Sequence, residues 1–300
     1  MPIDFKQDFT MNPGVAEALS PLVTRVLAPN PSPFTYTGTG TFIVGTEKLA
    51  VIDPGPEMPA HGEALMQAIA GRKVSHILVT HTHRDHSPLS RWLKDQTGAP
   101  ILAFGPHGAG RRAGLEGEDV EAGADKDFAP DVTLADGEVI KGPDWTITAL
   151  HTPGHTSNHL CFHLAEEDTV FVGDHVMAWA TTVILPPDGD VRAYLKSLER
   201  LVAMNPALLR PTHGPEVDKP ARFMRAIIGH RRMREAQIVG HLEAGIDNID
   251  MMVERMYKEI DPRLFPAAAR SVLAHLIALV DDGRVSADPA PGLGARYRLS

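Results

Sequence analysis

Residues 80–87 read Thr-His-Thr-His-Arg-Asp-His-Ser, so His81, His83, Asp85 and His86 bring three imidazoles and a carboxylate into six positions. Every one of these side chains can ligate a divalent cation. His81 and His83 stand two apart, and side chains at i and i+2 share a face only on an extended backbone. The apolar run Ile77-Leu78-Val79 just before them reads as such a strand. That separates the pattern from the helical i, i+4 histidine pair of many metalloproteases. Four ligands are more than one tetrahedral ion takes from a single segment, so two ions fit the count better than one. Three further ligand types stand beside Gly or Pro after other apolar runs: His155 in Pro-Gly-His-Thr, Asp174 in Gly-Asp-His and His213 in Thr-His-Gly. Isolated histidines such as His76, His107, His163 and His175 read as surface or hydrogen-bonded groups. His159 and His151 read the same way, with a supporting contact to the site as the alternative.

The elements that must carry these residues alternate along the first two-thirds of the chain. Strand-like runs fall at 41–44, 49–52, 77–79, 101–104, 145–148 and 169–172, several of them leading into a polar loop. Helical patterns lie between them at 57–70 and 87–97. In the second, Ser87 can cap, Pro88 takes the first helical position and Gly98 stops the chain. A third helix is expected at 191–204, with Tyr194, Leu195, Leu198, Leu201 and Val202 on one stripe. These features predict an α/β domain with many strands over residues 1–218. After a Pro/Gly stretch at 214–220 that reads as a linker, helices are expected at 221–243, 249–259 and 266–281, followed by a hairpin. Three helices and a hairpin are the order of a winged helix, here assigned to residues 219–300.

Composition excludes several functions. The chain has 300 residues, 43% of them hydrophobic and 22% charged, with a net charge of −9. Such a charge argues against a protein that coats nucleic acid or an anionic membrane. No stretch approaches the length of a membrane span and the first residues lack a signal-peptide pattern, so a cytoplasmic location is expected. The lone Cys161 excludes an internal disulfide and, inside Leu-Cys-Phe, reads as a small buried hydrophobe.

The motif H-x-H-x-D-H at 81–86 resembles the signature of the metallo-β-lactamase superfamily, and the later motifs around His155, Asp174 and His213 follow in the family's order. The early turn Val51-Ile52-Asp53-Pro54-Gly55 is a further family mark. The resemblance implies an αββα sandwich carrying two divalent ions, zinc first and manganese or iron as alternatives. It implies that one ion takes His81, His83 and His155, that the other takes Asp85, His86 and His213, and that Asp174 bridges them. Asp53 would orient a ligating histidine from behind. The implied chemistry is hydrolysis by a metal-bridging hydroxide, with Asp85 as the catalytic carboxylate that holds or shuttles the proton. Arg84 is expected to face away from the cations.

Details narrow the membership. Asp174 stands where β-lactamases of this fold commonly have Cys or Ser, which argues against antibiotic hydrolysis. His83 is retained where the redox members have Glu. No glutathione-binding motif was found, and Met177-Ala178-Trp179 replaces the Tyr typical of quorum-quenching lactonases. The chain also resembles the β-lactamase-like protein 2 group, through the segments at 28–38, 80–87 and 181–184, His230-Arg231-Arg232 with Arg234-Glu235, and 271–276. That resemblance implies two substrates to weigh, a small ester, thioester or lactone and a single-stranded RNA phosphodiester. Trp179, Thr181 and Thr182 are expected to bind the substrate, with the stretch up to Leu185 lining the pocket mouth. A third possibility is a nucleic-acid-binding regulator working through the winged helix. From Arg225 to Ser300, however, eleven Lys/Arg face ten Asp/Glu, and the last helix carries only Arg270 and His275 as basic types. That balance argues against duplex DNA as a partner. The clusters Arg231-Arg232-Arg234 and Arg296-Arg298 remain candidates for an edge of the cleft, and a homodimer is a fair expectation. The apolar positions Val253, Met256, Ile260, Leu273, Leu276, Ile277 and Val280 are spaced to form the module's core and its dock.

Overall fold

The computed structural model describes residues 3–111, 123–258, 261 and 264–300. Strands β1 (Ala16–Ala18), β2 (Val23–Leu27), β3 (Gly40–Val44), β4 (Lys48–Ile52), β5 (Lys73–Leu78), β6 (Ile101–Ala103) and β7 (Val132–Thr133) form one sheet in chain order. Strands β8 (Val139–Lys141), β9 (Thr146–His151), β10 (Leu160–Leu164), β11 (Thr169–Gly173) and β12 (Leu208–Pro211) form a second, also in sequential order. The first four strands are antiparallel; β4, β5, β6 and β7 run parallel, as do β11 and β12. Parallel neighbours need a crossover. Helix α1 (Pro59–Ile69) joins β4 to β5, α2 (Leu89–Thr97) joins β5 to β6 and α3 (Val191–Met204) lies between β11 and β12.

Because both faces of each sheet are covered, β3 and β4 read as continuous apolar runs. Their alternation divides the core. Phe42, Val44, Ala50 and Ile52 point between the sheets, against Phe162 and Phe171 of the second sheet. Ile43, Leu49 and Val51 point the other way, onto Leu65 and Ile69 of α1 and Leu93 of α2. On the far side, Val170 and Val172 pack on Tyr194, Leu198 and Leu201 of α3. Helix, sheet, sheet and helix thus stack as an αββα sandwich, as the sequence pattern and the resemblance led one to expect.

The third helix begins and ends as its sequence reads. The Asp190 side chain accepts from the Ala193 amide at its start, and Asn205 ends it in the left-handed region. The start of α2 differs from expectation. The helix begins at Leu89, and the Ser87 hydroxyl donates to Asp125 Oδ2 at 2.7 Å and to the His83 carbonyl instead of capping. The carboxylate, 38 residues away in the chain, accepts a charge-assisted bond that turns the hydroxyl away from the helix start.

The C-terminal part comprises α4 (Pro220–Glu243), α5 (Ile249–Met256), α6 (Phe265–Asp281) and the hairpin β13 (Val285–Asp288) with β14 (Arg296–Leu299). Its own core holds Ile238, Val253, Leu276 and Tyr297, with Met256, Leu273 and Val280 partly buried against it. Ile260 and Glu259 lie outside the described residues. Helix α4 belongs to two cores. Its first turns bury Phe223, Met224, Ile227 and Ile228 against α3, and its last turns bury Ile238 and Leu242 among the C-terminal helices. The stretch 214–220 is therefore packed chain, not free linker: Val217 is buried and bridges Leu209, and Arg210 pairs with Glu216 at 2.8 Å. Docking of α6 onto the sandwich uses Ala274 and Ala278, whose small side chains let the helix approach closely.

Candidate metal centre

All seven predicted ligands meet at one edge of the sandwich, where strands end and loops begin. Tight backbone approach makes this possible at two glycines. Gly173 sits at φ 49°, and a Cβ there would lie 2.6 Å from His159 Nε2 and 2.9 Å from Thr80 Oγ1. Gly154 lets the turn that carries His155 rest on α3, where a Cβ would fall 2.3 Å from Tyr194 Cα. Larger residues at either place would push Asp174 or His155 off the site.

Two groups of ligand atoms result. One is His81, His83, His155 and Asp174; the other is Asp85, His86 and His213. His83 Nδ1 lies 3.0 Å from His81 Nε2 and 3.1 Å from His155 Nε2. Three imidazole nitrogens this close are poorly explained by hydrogen bonds among themselves. On a shared tetrahedral zinc they would stand about 3.3 Å apart. His213 Nε2 lies 3.1 Å from Asp85 Oδ2, and His86 Nε2 lies 3.5 Å from it. Asp174 faces both groups, with Oδ2 at 3.7 Å from His155 Nε2 and Oδ1 at 3.4 Å from His86 Nε2 and 3.3 Å from His213 Nε2. Three of these atoms, His86 Nε2, His213 Nε2 and Asp174 Oδ1, are buried without a hydrogen-bond partner. Buried polar atoms left unpaired and aimed at one point fit a divalent cation, which would satisfy all three at once.

The opposite nitrogen of each of four histidines is held from behind. His81 Nδ1 lies 3.0 Å from Thr80 Oγ1, His155 Nδ1 2.6 Å from the Val183 carbonyl and His213 Nδ1 3.1 Å from the Gly38 carbonyl. His86 Nδ1 lies 2.9 Å from Asp53 Oδ2. Fully buried Asp53 also accepts from the Thr80 amide and hydroxyl, both at 2.8 Å, and from the Thr212 hydroxyl at 3.0 Å. It thereby ties the ends of β5 and β12 to the ligand set, the arrangement by which metal sites fix tautomer and ring angle.

Electrostatics divide the centre in the same way. Burial and the neighbouring imidazoles of His86 and His83 push His81 well below the ordinary histidine range, leaving a neutral ring with a lone pair to donate. Burial also opposes charge on His86, but Asp85, Asp174 and Asp53 outweigh it and hold that imidazole well above its usual value. His213 is raised in the same manner, against burial, by Asp174 and Asp85. The two carboxylates are held low: burial pushes them up, and the paired histidines more than compensate. A cation entering here would replace those protons.

The other singled-out residues fall into place around this core. His159 is buried, stacked on His81 with ring centroids 5.1 Å apart, and its Nδ1 lies 3.0 Å from Thr152 Oγ1. His151 stacks on Phe104 and stays off the site. Cys161 is buried in the core, where burial pushes its thiol up to about 12.

A cavity of about 610 Å³ opens over His83, Asp85, His155 and Asp174. Trp179 and Thr181 line it, and Trp179 stacks on Tyr36 at 4.9 Å. Thr182 does not line it: the side chain is buried and donates to the carbonyls of Asp174 and His175. Its own carbonyl accepts from the buried Arg231 of α4. Phe34, Met177 and Arg270 are wall residues that the sequence reading did not single out for substrate, and Arg84 lies on the wall too, its Nε donating to the Ala124 carbonyl. Neither basic cluster lines the cavity. Arg232 pairs with Glu199, Arg234 lies over the Tyr257 ring and Arg296 pairs with Asp247.

Comparison with known proteins agrees with this geometry. Residues 36–213 match the model of the metallo-β-lactamase superfamily, and residues 249–292 match the β-lactamase-associated winged helix domain. A β-lactamase-like protein 2 homolog of Drosophila melanogaster is 32% identical over 89% of this chain and 90% of its own. An atrochrysone carboxyl ACP thioesterase of Claviceps purpurea is 32% identical over 74% of this chain and 66% of its own. Among solved structures, a β-lactamase domain protein from Burkholderia ambifaria superposes with a TM-score of 0.80 at 21% identity, covering 99% of this chain and 97% of that one. The ligand geometry, the sandwich and the joined C-terminal module agree with these matches, and the chain belongs to the metallo-β-lactamase superfamily.

Proposed function

We propose that the chain hydrolyses a carboxylic ester, thioester or lactone with a largely apolar acyl part, using two divalent ions held by its seven clustered side chains. Membership of the superfamily, together with a thioesterase among the relatives, supports a metal-dependent hydrolase. The observation that carries the substrate class is the cavity wall. Phe34, Met177, Trp179, Ala180, Val183 and Leu185 surround the approach to the ligands, and apolar walls with a few convergent polar groups suit a small molecule. The thioesterase named among the relatives supports the same class.

One ion would be held by His81, His83 and His155, the other by Asp85, His86 and His213, with Asp174 shared. The nitrogen-rich donor set suits zinc, and also manganese or iron. When bound, such a pair supplies Lewis acidity toward a carbonyl oxygen and acidifies a water to near neutrality. Asp85 is the most exposed carboxylate of the set, its side chain 27% accessible against 10% for Asp174. Facing the cavity, it can take a proton from water and return it to the leaving oxygen or sulfur. Asp53 keeps His86 in one tautomer, and the Phe34–Trp179 side of the wall excludes water from the acyl group.

A single-stranded RNA phosphodiester draws less support, because Arg231, Arg232, Arg234, Arg284 and Arg296 of the C-terminal module are engaged within the protein and neither basic cluster lines the cavity. Among the described residues no helix is long and apolar enough to cross a membrane, and we assign the enzyme to the cytoplasm. The test is a panel of p-nitrophenyl esters, acyl thioesters, a lactone and a single-stranded RNA, assayed with the zinc-loaded protein and with Asp174→Ala. Metal-dependent turnover of the acyl substrates, lost in the variant, is expected. RNA cleavage without acyl turnover would overturn the proposal.

A further inference from the structure

We infer that Arg270, supplied by the C-terminal module, is the anion-recognising residue of the substrate cavity, so that the substrate joins an apolar acyl region to one anionic group. The inference rests on the ester or thioester reading and specifies its substrate further. Three observations carry it. Arg270, Ala274 and Ala278 follow one another at intervals of four on α6 and so share a face of the helix. Ala274 and Ala278 are buried in the core shared with the sandwich, which directs that face, and Arg270 with it, toward the cavity. Second, among the described residues, and apart from the metal-ligand cluster, the charged residues on the wall are Arg84 and Arg270.

Third, Arg270 is half-buried and has no hydrogen-bond or ion-pair partner among the described residues. Four other arginines of the module are engaged, Arg231 with the Thr182 carbonyl, Arg232 with Glu199, Arg284 with Glu235 and Arg296 with Asp247, and none of these four lines the cavity. None of the Arg270 nitrogens is buried away from solvent, so the guanidinium on the cavity wall is accessible to an arriving anion. Its planar fork suits the two oxygens of a carboxylate or phosphate. One such fork, with Arg84 on the same wall, fits a single anionic group and falls short of the row of cations that a nucleic-acid backbone requires. The anion can belong to the acyl part, as a carboxylate, or to the leaving group, as the phosphate of a pantetheine-type thiol.

Two matched pairs of substrates distinguish these sources. p-Nitrophenyl butyrate and mono-p-nitrophenyl glutarate differ by a carboxylate on the acyl part. Butyryl-pantetheine and butyryl-4′-phosphopantetheine differ by a phosphate on the leaving group. In the full-length, zinc-loaded protein, Arg270→Gln is expected to lower the anionic-to-neutral ratio of kcat/KM by about tenfold or more in one pair, mainly through KM. Arg270→Lys should recover part of it, and the affected pair names the source. Unchanged ratios in both pairs overturn the inference. Calorimetric binding of glutarate mono-anilide and of S-butyl-4′-phosphopantetheine gives a readout free of turnover. A tenfold loss of affinity in Arg270→Gln with no hydrolysis of any substrate would keep the anion site and discard the esterase reading. Equal affinity of both ligands for wild type and variant would discard the site.

Discussion

Asp53 adopts φ 50°, a region that costs most residues strain, and its carboxylate serves two backbone-anchored threonines and His86 from there. An aspartate tolerates this backbone better than most side chains. Replacing it with Ala would leave the Thr212 hydroxyl and His86 Nδ1 without their buried acceptor. We expect Asp53→Ala to weaken metal affinity by about 10- to 100-fold, as is usual when the group behind a ligating histidine is lost. Competition with a chromophoric chelator measures it, and an unchanged affinity would remove Asp53 from the centre. The residue types here were readable directly, because H-x-H-x-D-H on a strand end has few uses other than a metal. Ser87 was less transparent: its hydroxyl looked free to cap a helix until the fold delivered Asp125. Thr182 likewise looked available to substrate, but the chain turns back so that it braces the carbonyl of Asp174.

At the scale of elements, strand ends gather the ligands and α4 ties them to the C-terminal module. Arg231 in the middle of α4 reaches the Thr182 carbonyl and lies over the Tyr194 ring of α3 at 5.5 Å. Since the Thr182 hydroxyl donates to Asp174, the module holds the segment behind the shared ligand. Arg231→Met keeps most of the side-chain volume and deletes the donor. Loss of a buried charge without a carboxylate partner relieves a desolvation cost, so the unfolding free energy from urea denaturation should change by no more than about 1 kcal/mol. Metal affinity should nevertheless drop by about tenfold through the freed Thr182 segment. A variant that binds metal like the wild type would show that the contact serves packing alone. The helices themselves were legible to within a few residues, since apolar stripes and terminal Asp, Asn or Gly residues are local signals. The double role of α4 was not. Its two apolar halves, Phe223 to Ile228 and Ile238 to Leu242, look like one amphipathic helix until α3 and α6 are in place.

For the molecule as a whole, buried neutral histidines predict how stability responds to acid. His275 between α6 and its neighbours is lowered to about 3, chiefly by burial and then by Arg231, and His61 beneath Gly55 is lowered to about 4, chiefly by burial. A folded-state value below the unfolded one means that the unfolded chain takes up protons first. The stability these rings confer is therefore complete above pH 6.5 and is lost as pH falls from 6.5 toward 3 or 4, by up to about 1.4 kcal/mol per pH unit for each. Urea denaturation at pH 7 and pH 5 should show a clear decline, and His275→Gln, which cannot titrate, should remove about 2 kcal/mol of it. An identical decline in the variant would mean that His275 is not held neutral. The sequence by itself determined the chemistry available, the α/β alternation and the appended helical module, because ligand type, period and capping are properties of short segments. Only the tertiary structure decided which groups share a cavity. The cavity wall joins residues near 34, 84 and 180, and Arg270 reaches it because two alanines one and two turns later let α6 lie flat on the sandwich. Such proximity depends on packing between segments far apart in the chain, and no local pattern records it.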